Sequence, residues 1–426
     1  NADSTIVVGA TINSIAGGAL NLTSAGTTSF DADVTLIGAT ANLQVNSSGI
    51  SQTGPRKLLV DGSANLNAGS GSLILLSENK FGSLNLTGGT VTVNEADSTL
   101  LTGASSNTPP PPPAGTITDA ANTTINVAGL ANLNAGSNSI TLGDNAGDIT
   151  NFGSLNLTGT AISITEDSAS ELAGVSATSL TLTSSGAQTD SGNINVSGLA
   201  TFNAGSNAIT FGDAPGETTN FGTLNFSGGA VTITEDSAMD LVGANTAGSA
   251  ALTSSGTLSD AGATSVAITG NGSFSGTTIS LGGGTFNSGT LTFNSAGTVN
   301  IVEDSSMDIA GTNTGGTTNL TATGGIADSV NSSINVGALT LSGTSVNLGA
   351  GASNTFNATT LNFNSAGAVN IAEDSAMDIT GVNTAGSANL SATGALSDAG
   401  APSLTVTGLG SFSGASISLG GGPFNT

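Results

Sequence analysis

A chain of 426 residues with 28 acidic side chains, 3 basic ones and a net charge of −25 offers no cationic footprint to nucleic acid or to an anionic membrane, so both are excluded as partners. It contains no Cys and no His, which removes disulfide frameworks, thiol chemistry and the common zinc ligands. No run of about 18 apolar residues exists that could form a membrane-crossing helix.

With 63 Gly and only 7% charged residues, disorder would be expected if the apolar residues were scattered. They alternate instead. In chain order, Leu84 and Leu86, Val91 and Val93, Ile162 and Ile164, and Val231 and Ile233 each show the two-residue period of a half-buried strand. The chain is therefore expected to be ordered, all-β and made of many short strands.

An acidic segment recurs as NEADS, TEDSAS, TEDSAM, VEDSSM and AEDSAM, with its Asp at Asp97, Asp167, Asp236, Asp304 and Asp374, so that the numbering advances by 70, 69, 68 and 70. Asp31–Gly38 (DADVTLIG) resembles Asp236–Gly243 (DSAMDLVG) and marks a degenerate first copy. The repeats run over residues 1–80, 81–151, 152–220, 221–290, 291–360 and 361–426 of one continuous solenoid. From each acidic Asp to the next acidic turn (Asp119, Asp190, Asp260, Asp328, Asp398) the steps are 22, 23, 24, 24 and 24. This spacing predicts three coils of about 23 residues per repeat, stacked as a parallel β-helix and right-handed like nearly all parallel crossovers. Six repeats of three coils at ~4.8 Å would make a rod of about 90 Å.

One coil is expected over 221–243. Leu224 and Phe226 form an inward pair, Gly228 and Gly229 turn the chain, Val231 and Ile233 form a second pair, and Glu235–Ser237 turn again before Met239 and Leu241. The next coil uses Ala250, Leu252, Leu258, Val266 and Ile268, and the third Phe274, Ile279 and Leu281. The core is then a column rather than a ball.

Units such as FNSAGAVNIAEDSAMDITGVNTAGSANLSATGALSDAG (Phe363–Gly400) resemble the repeats of filamentous haemagglutinin and autotransporter-type bacterial surface proteins. The resemblance covers nearly the whole chain and implies secretion, a right-handed β-helix and a role in adhesion, biofilm or surface layers. It brings no catalytic residues.

The acidic turns are the candidate site. Coil spacing lines up Asp144, Glu166, Asp167, Asp190, Asp213, Glu235, Asp236, Asp260, Glu303, Asp304, Asp328, Glu373, Asp374 and Asp398 along one edge, with Gly282, Gly349 and Gly420 replacing the acid in some coils. Carboxylates stacked about 5 Å apart repel, and oxygen-only ligands without a neighbouring cation suit Ca²⁺. The competing explanation is that Asp, Ser and Gly favour tight turns while salt screens the charge. The GGxGxD nonapeptide of calcium-loaded β-rolls is absent.

Pro109–Pro113 replaces a strand in frame and predicts a local break in the ladder. Asn21, Asn85, Asn156, Asn195 and Asn225 begin Asn-x-Ser/Thr triplets that so Asn- and Thr-rich a chain produces by composition. Arg56, Lys57 and Lys80 are the only cations, and Arg56 and Lys57, which follow Pro55 in an apparent turn, read as part of a solvated loop. Asn1 opens without a basic, apolar leader, as expected of a processed chain, and Thr426 falls in mid-repeat, which suggests continuation or end-to-end stacking of subunits.

A structural rod of a secreted or cell-surface fibre or adhesin, without catalysis, accounts for these features. Its expected partners are other copies of itself, extracellular polysaccharide or a host or cell surface. The alternatives are a polysaccharide-acting β-helix lyase or hydrolase, which would need convergent carboxylates, a basic residue and aromatic platforms, and a passive calcium-binding matrix protein. A threonine-array ice binder is disfavoured because the outward sites read Thr92, Ser163, Thr232, Asn300 and Asn370.

Overall fold

The computed structural model describes residues 4–14, 17–95, 99–106, 115–260, 262, 264–398 and 403–425. Asp97 and the proline run Pro109–Pro113 lie outside them. Among the described residues there is no helix, and the chain stacks parallel strands as a β-solenoid of about 18 turns, roughly 21 residues each. Two compact units divide it, Asn1–Gly222 and Thr223–Thr426.

The inward positions expected from alternation are the core. Leu224, Phe226, Val231, Ile233, Met239, Leu241, Ala250, Leu252, Leu258, Val266, Ile268, Phe274, Ile279 and Leu281 are all buried. Each fully buried large side chain contributes ~1.5–3 kcal/mol, so stability is distributed along a column instead of concentrated in one centre.

In the second unit, two faces persist. On face one, Val231 pairs with Ala250, then Gly272, Leu291, Ile309 and Asp328. The same face continues from Met307 through Ile326, Val346, Val369, Ala388 and Gly410. On face two, Met239 is followed by Leu258, Ile279, Val299, Thr318, Leu339, Leu361 and Ile379. Seven turns thus carry the chain from Met239 to Ile379, roughly 20 residues per turn.

This corrects the expected coil. Leu241 lies directly above Leu224, so 221–243 is more than one turn. Three turns lead from Val299 to Leu361, and the strand equivalent to Val299 in the next repeat, at Val369, stands on the other face. A repeat is therefore about three and a half turns, not three, and successive repeats exchange faces. The spacing from Asp236 to Asp260 overstated the turn because it joins two corners: Asp236 follows face one and Asp260 follows face two.

A third side closes each turn, and it changes corner once per repeat. Residues 244–247, 265–268 and 285–288 stack and then stop. A new third side starts at 312–315 and continues through 333–336 and 355–358. The next comprises Val382–Ala385 and Ser403–Val406.

The first unit follows the same plan with turns of more variable length. One face runs Leu20, Leu43, Ala64, Leu84, Leu101, the numbering advancing by 23, 21, 20 and then 17. It continues from Ile117 through Ile140, Ile162, Leu180 and Ala200.

Candidate cation-binding corners

The Glu of each acidic turn points inward and the Asp outward. Glu166, Glu235, Glu303 and Glu373 are at most 2% exposed, whereas Asp167, Asp236, Asp304 and Asp374 are exposed. Where a third side stops, the outward-running N–H groups of its last strand lose their partner strand, and the two carboxylates take its place. Phe286 N donates to Asp304 Oδ2 at 2.9 Å and Ser288 N to Glu303 Oε1 at 3.1 Å. One repeat on, Phe356 N donates to Asp374 Oδ2 at 2.9 Å and Ala358 N to Glu373 Oε1 at 3.1 Å. In the first unit Thr150 N donates to Asp167 Oδ2 and Phe152 N to Glu166 Oε1, both at 2.8 Å. The following Ser hydroxyl also donates to the Glu, as Ser168, Ser237, Ser305 and Ser375 do, and Ser170 adds a second donor to Glu166. Burial raises the carboxyls of Glu166 and Glu303 above their usual range and pushes Glu373 up to about 7, against the pull of these hydrogen bonds. These acids terminate strands.

The single acidic edge expected from spacing is not formed. In the second unit, Asp236, Asp328 and Asp374 follow face one, while Asp260, Asp304 and Asp398 follow face two. Along either edge they stand two or five turns apart, about 10 or 24 Å at ~4.8 Å per turn, where salt screens most of the repulsion. Asp260 is held locally, its two oxygens accepting from Gly282 N and Gly283 N at 3.0 Å each. Asp398 is held likewise by Gly420 N and Gly421 N, and Asp328 accepts from Gly349 N, Ser332 Oγ and Asn354 Nδ2.

Acids do meet in the first unit, at two places. Asp119, Asp144 and Asp148 bring one carboxylate oxygen each to within 4.8 Å of one another, and so do Asp190, Asp213 and Glu217. Asp119 ends the strand Ile117–Asp119, which stacks under Ile140–Leu142; Asp190 ends Gln188–Asp190 under Ile209–Phe211. Above each, the chain leaves its strand through a loop of like pattern, GDNAGD over 143–148 and GDAPGE over 212–217. Gly143 and Gly212 adopt φ of 71° and 69°, Gly147 and Gly216 φ of 91° and 93°. At Gly143 a Cβ would also meet the Thr165 carbonyl oxygen at 2.3 Å, so only glycine fits there. Its N–H donates to Asp119 Oδ2 at 2.9 Å, and Gly212 N is shared between both oxygens of Asp190 at 3.1 and 3.2 Å. The third acid is pinned by its loop: Asp148 accepts from Thr123 N and Asn145 N at 2.8 and 2.9 Å, and Glu217 from Ala214 N at 3.3 Å.

No basic residue occurs between Lys80 and Thr426, so no cation of the chain offsets these clusters through a neighbouring turn. Unit charges about 4 Å apart repel by ~1 kcal/mol in water and ~4 kcal/mol near a protein surface. Burial raises Asp119, and burial with the charges of Glu217 and Asp213 raises Asp190 to about 6. Of the acids expected on the ladder, Asp144, Asp190 and Asp213 are thus brought into clusters. Asp119, Asp148 and Glu217 were missed as members of these clusters. The recurrence of Gly-Asp-x-x-Gly-acid one repeat later is the signal that could have found them.

Lys57 Nζ meets Glu78 at 2.9 Å, an exposed pair of little energetic weight. Asn225 donates to the carbonyls of Val242 and Ala244, a ladder role for a residue of an Asn-x-Ser triplet.

A family model described as repeats of unknown function (DUF5649) matches residues 158–225, a stretch one repeat long that includes the acidic turn at Glu166 and the cluster at Asp190, Asp213 and Glu217. No curated protein and no solved structure matches the chain.

Proposed function

We propose that this chain is a non-catalytic scaffold, a structural rod within a secreted or cell-surface fibre or adhesin of the filamentous haemagglutinin or autotransporter kind. The observation that carries this reading is the use made of its acidic repeat. The most recurrent ionisable residues, the Glu–Asp turns, close strand ends, and the burial of Glu166, Glu303 and Glu373 keeps them from any substrate. What the sequence repeats is a way to extend a solenoid. Outward Thr, Asn and Ser leave faces suited to contact with extracellular polysaccharide, a cell surface or further copies of the chain, because parallel ladders join like to like.

A polysaccharide-acting enzyme needs an accessible acid and base converging on one bond. Asp190 with Asp213 and Glu217 is the arrangement that most favours that rival, but the sequence has no His, Tyr or Trp, and no Lys or Arg after Lys80, to serve as base or sugar platform there. Two measurements separate the readings. Immunogold labelling of intact source cells should decorate the surface, and label confined to permeabilised cells would sink the scaffold at that location. Incubation with acidic and neutral polysaccharides should release no reducing ends; steady release that Asp190→Asn abolishes would establish the enzyme instead.

A further inference from the structure

We propose that the acidic corner formed by Asp119, Asp144 and Asp148 in the first unit is a Ca²⁺ site. The inference is independent of whether the scaffold serves adhesion.

Proximity of acids is not the whole argument. Asp119 is only 6% exposed, and while its Oδ2 takes the Gly143 N–H, its Oδ1 has no hydrogen-bond partner. A buried carboxylate oxygen left unpaired is costly, and here it belongs to the residue around which Asp144 and Asp148 gather. The second unit supplies the comparison. At the equivalent corners, Asp260 and Asp398 have both oxygens satisfied by consecutive glycine N–H groups. At Asp119 only one oxygen is served by a glycine, and the loop brings two further carboxylates in place of the second glycine donor. Such a loop makes the corner worse unless a cation completes it.

Chemistry and dimensions select calcium. All three side chains are hard oxygen donors, and their oxygens lie within 4.8 Å of one another, inside the roughly 5 Å that can separate oxygens bound to one Ca²⁺ at about 2.3–2.6 Å. Asp148 is already oriented by the backbone N–H groups of Thr123 and Asn145. Three carboxylates, of which Asp144 is exposed, leave the remaining coordination to water, which places affinity in the range of extracellular modules, a Kd of roughly 10⁻⁴–10⁻³ M. The like-patterned corner of Asp190, Asp213 and Glu217 supplies the control, because Gly212 N already serves both oxygens of Asp190.

The test is equilibrium dialysis of the EDTA-stripped full chain against ⁴⁵CaCl₂ up to about 10 mM. One ion per chain is expected at this corner. It should be lost in Asp144→Asn/Asp148→Asn and kept in Asp213→Asn/Glu217→Gln. Thermal melts distinguish loss of a site from loss of fold, since neutralising the acids should preserve or raise the calcium-free midpoint while abolishing its rise with Ca²⁺. Failure of the wild-type chain to bind at the highest concentration, or a count that Asp144→Asn/Asp148→Asn leaves unchanged, overturns the proposal.

Discussion

A carboxyl used as a strand end carries a pH signature. Glu373 is buried beneath its turn, and its proton is held up to about 7 against a usual value of 4.5. The folded chain therefore binds that proton more tightly than the unfolded one. The native state suffers no penalty below about pH 4.5; as pH rises through the interval to about 7, the unfolded state ionises first and stability falls, and above it the full penalty is present. Glu166 and Glu303 act in the same direction. Urea midpoints of the wild-type chain should decline between about pH 4.5 and 7, and Glu373→Gln, which keeps an acceptor for Ala358 N without the charge, should flatten part of that decline and raise the midpoint at pH 8. Glu373→Ala should remove the same part of the decline but lower the midpoint, leaving the Ala358 N–H buried without a partner at a cost of ~1–3 kcal/mol. If Gln and Ala behaved alike at pH 8, the cap would not be the reason for the acid.

Each new third side also has a recurring entry. Asn245, Asn313 and Asn383 are fully buried, and each accepts the N–H of a Phe one turn below, Phe226, Phe293 and Phe363, at 2.9–3.0 Å. Their amides donate back to Val242, Ala310 and Thr380 carbonyls. The preceding Gly243, Gly311 and Gly381 share a φ of 68°, the left-handed step that swings the chain to its new corner. Asn313→Ala strands Phe293 N, while Ala310 O keeps the Thr292 hydroxyl, and should cost ~1–3 kcal/mol, read as a lower urea midpoint at unchanged slope; a midpoint that does not move would mean the amide is dispensable. This layer explains what the sequence could disclose. Alternation of Val231 with Ile233, or Met239 with Leu241, marks inward positions without reference to their faces, so the core was legible residue by residue. The acidic repeat was legible too, as a period. Its geometry was not, because Glu303 and Glu373 look identical in sequence while standing after opposite faces, and nothing local to either reveals that the third side has moved between them. Asp119 and Asp148 were obscured for a related reason. Their meeting depends on the exact turn length from Ile117 to Ile140, and turns of the first unit are unequal: one is complete from Leu84 to Leu101, another only from Thr124 to Ile149.

At the scale of the molecule, the half-turn left over in each repeat is what lets one sequence element serve both faces. A strictly three-turn repeat would put every Glu–Asp turn on one edge and stack its outward Asp in a single file. With three and a half turns, the closures of the second unit fall alternately on two edges, and their charge is divided between them. The arrangement also makes whole repeats interchangeable. Deleting residues 304–373 joins Glu303 to Asp374, so that Met377–Asp378 and Ile379 stack over Leu291 where Met307–Ile309 stood, and Phe286 N meets an equivalent Asp. Every new contact then has a native precedent, although all that follows is rotated by half a turn. Deleting 304–337 instead joins Glu303 to Ala338; it removes the Asp that caps Phe286 and the strand Met307–Ile309 that covers Leu291, with no equivalent to replace them. The repeat-length deletion should retain the far-UV signature of β-structure and one cooperative melt within a few degrees of wild type, since stability in stacked repeats is a sum of neighbour terms and no such term has changed in kind. The half-length deletion should melt lower and broadly. Equal damage from both would show that the faces are not interchangeable, and that each repeat is adapted to the side of the solenoid on which it happens to lie.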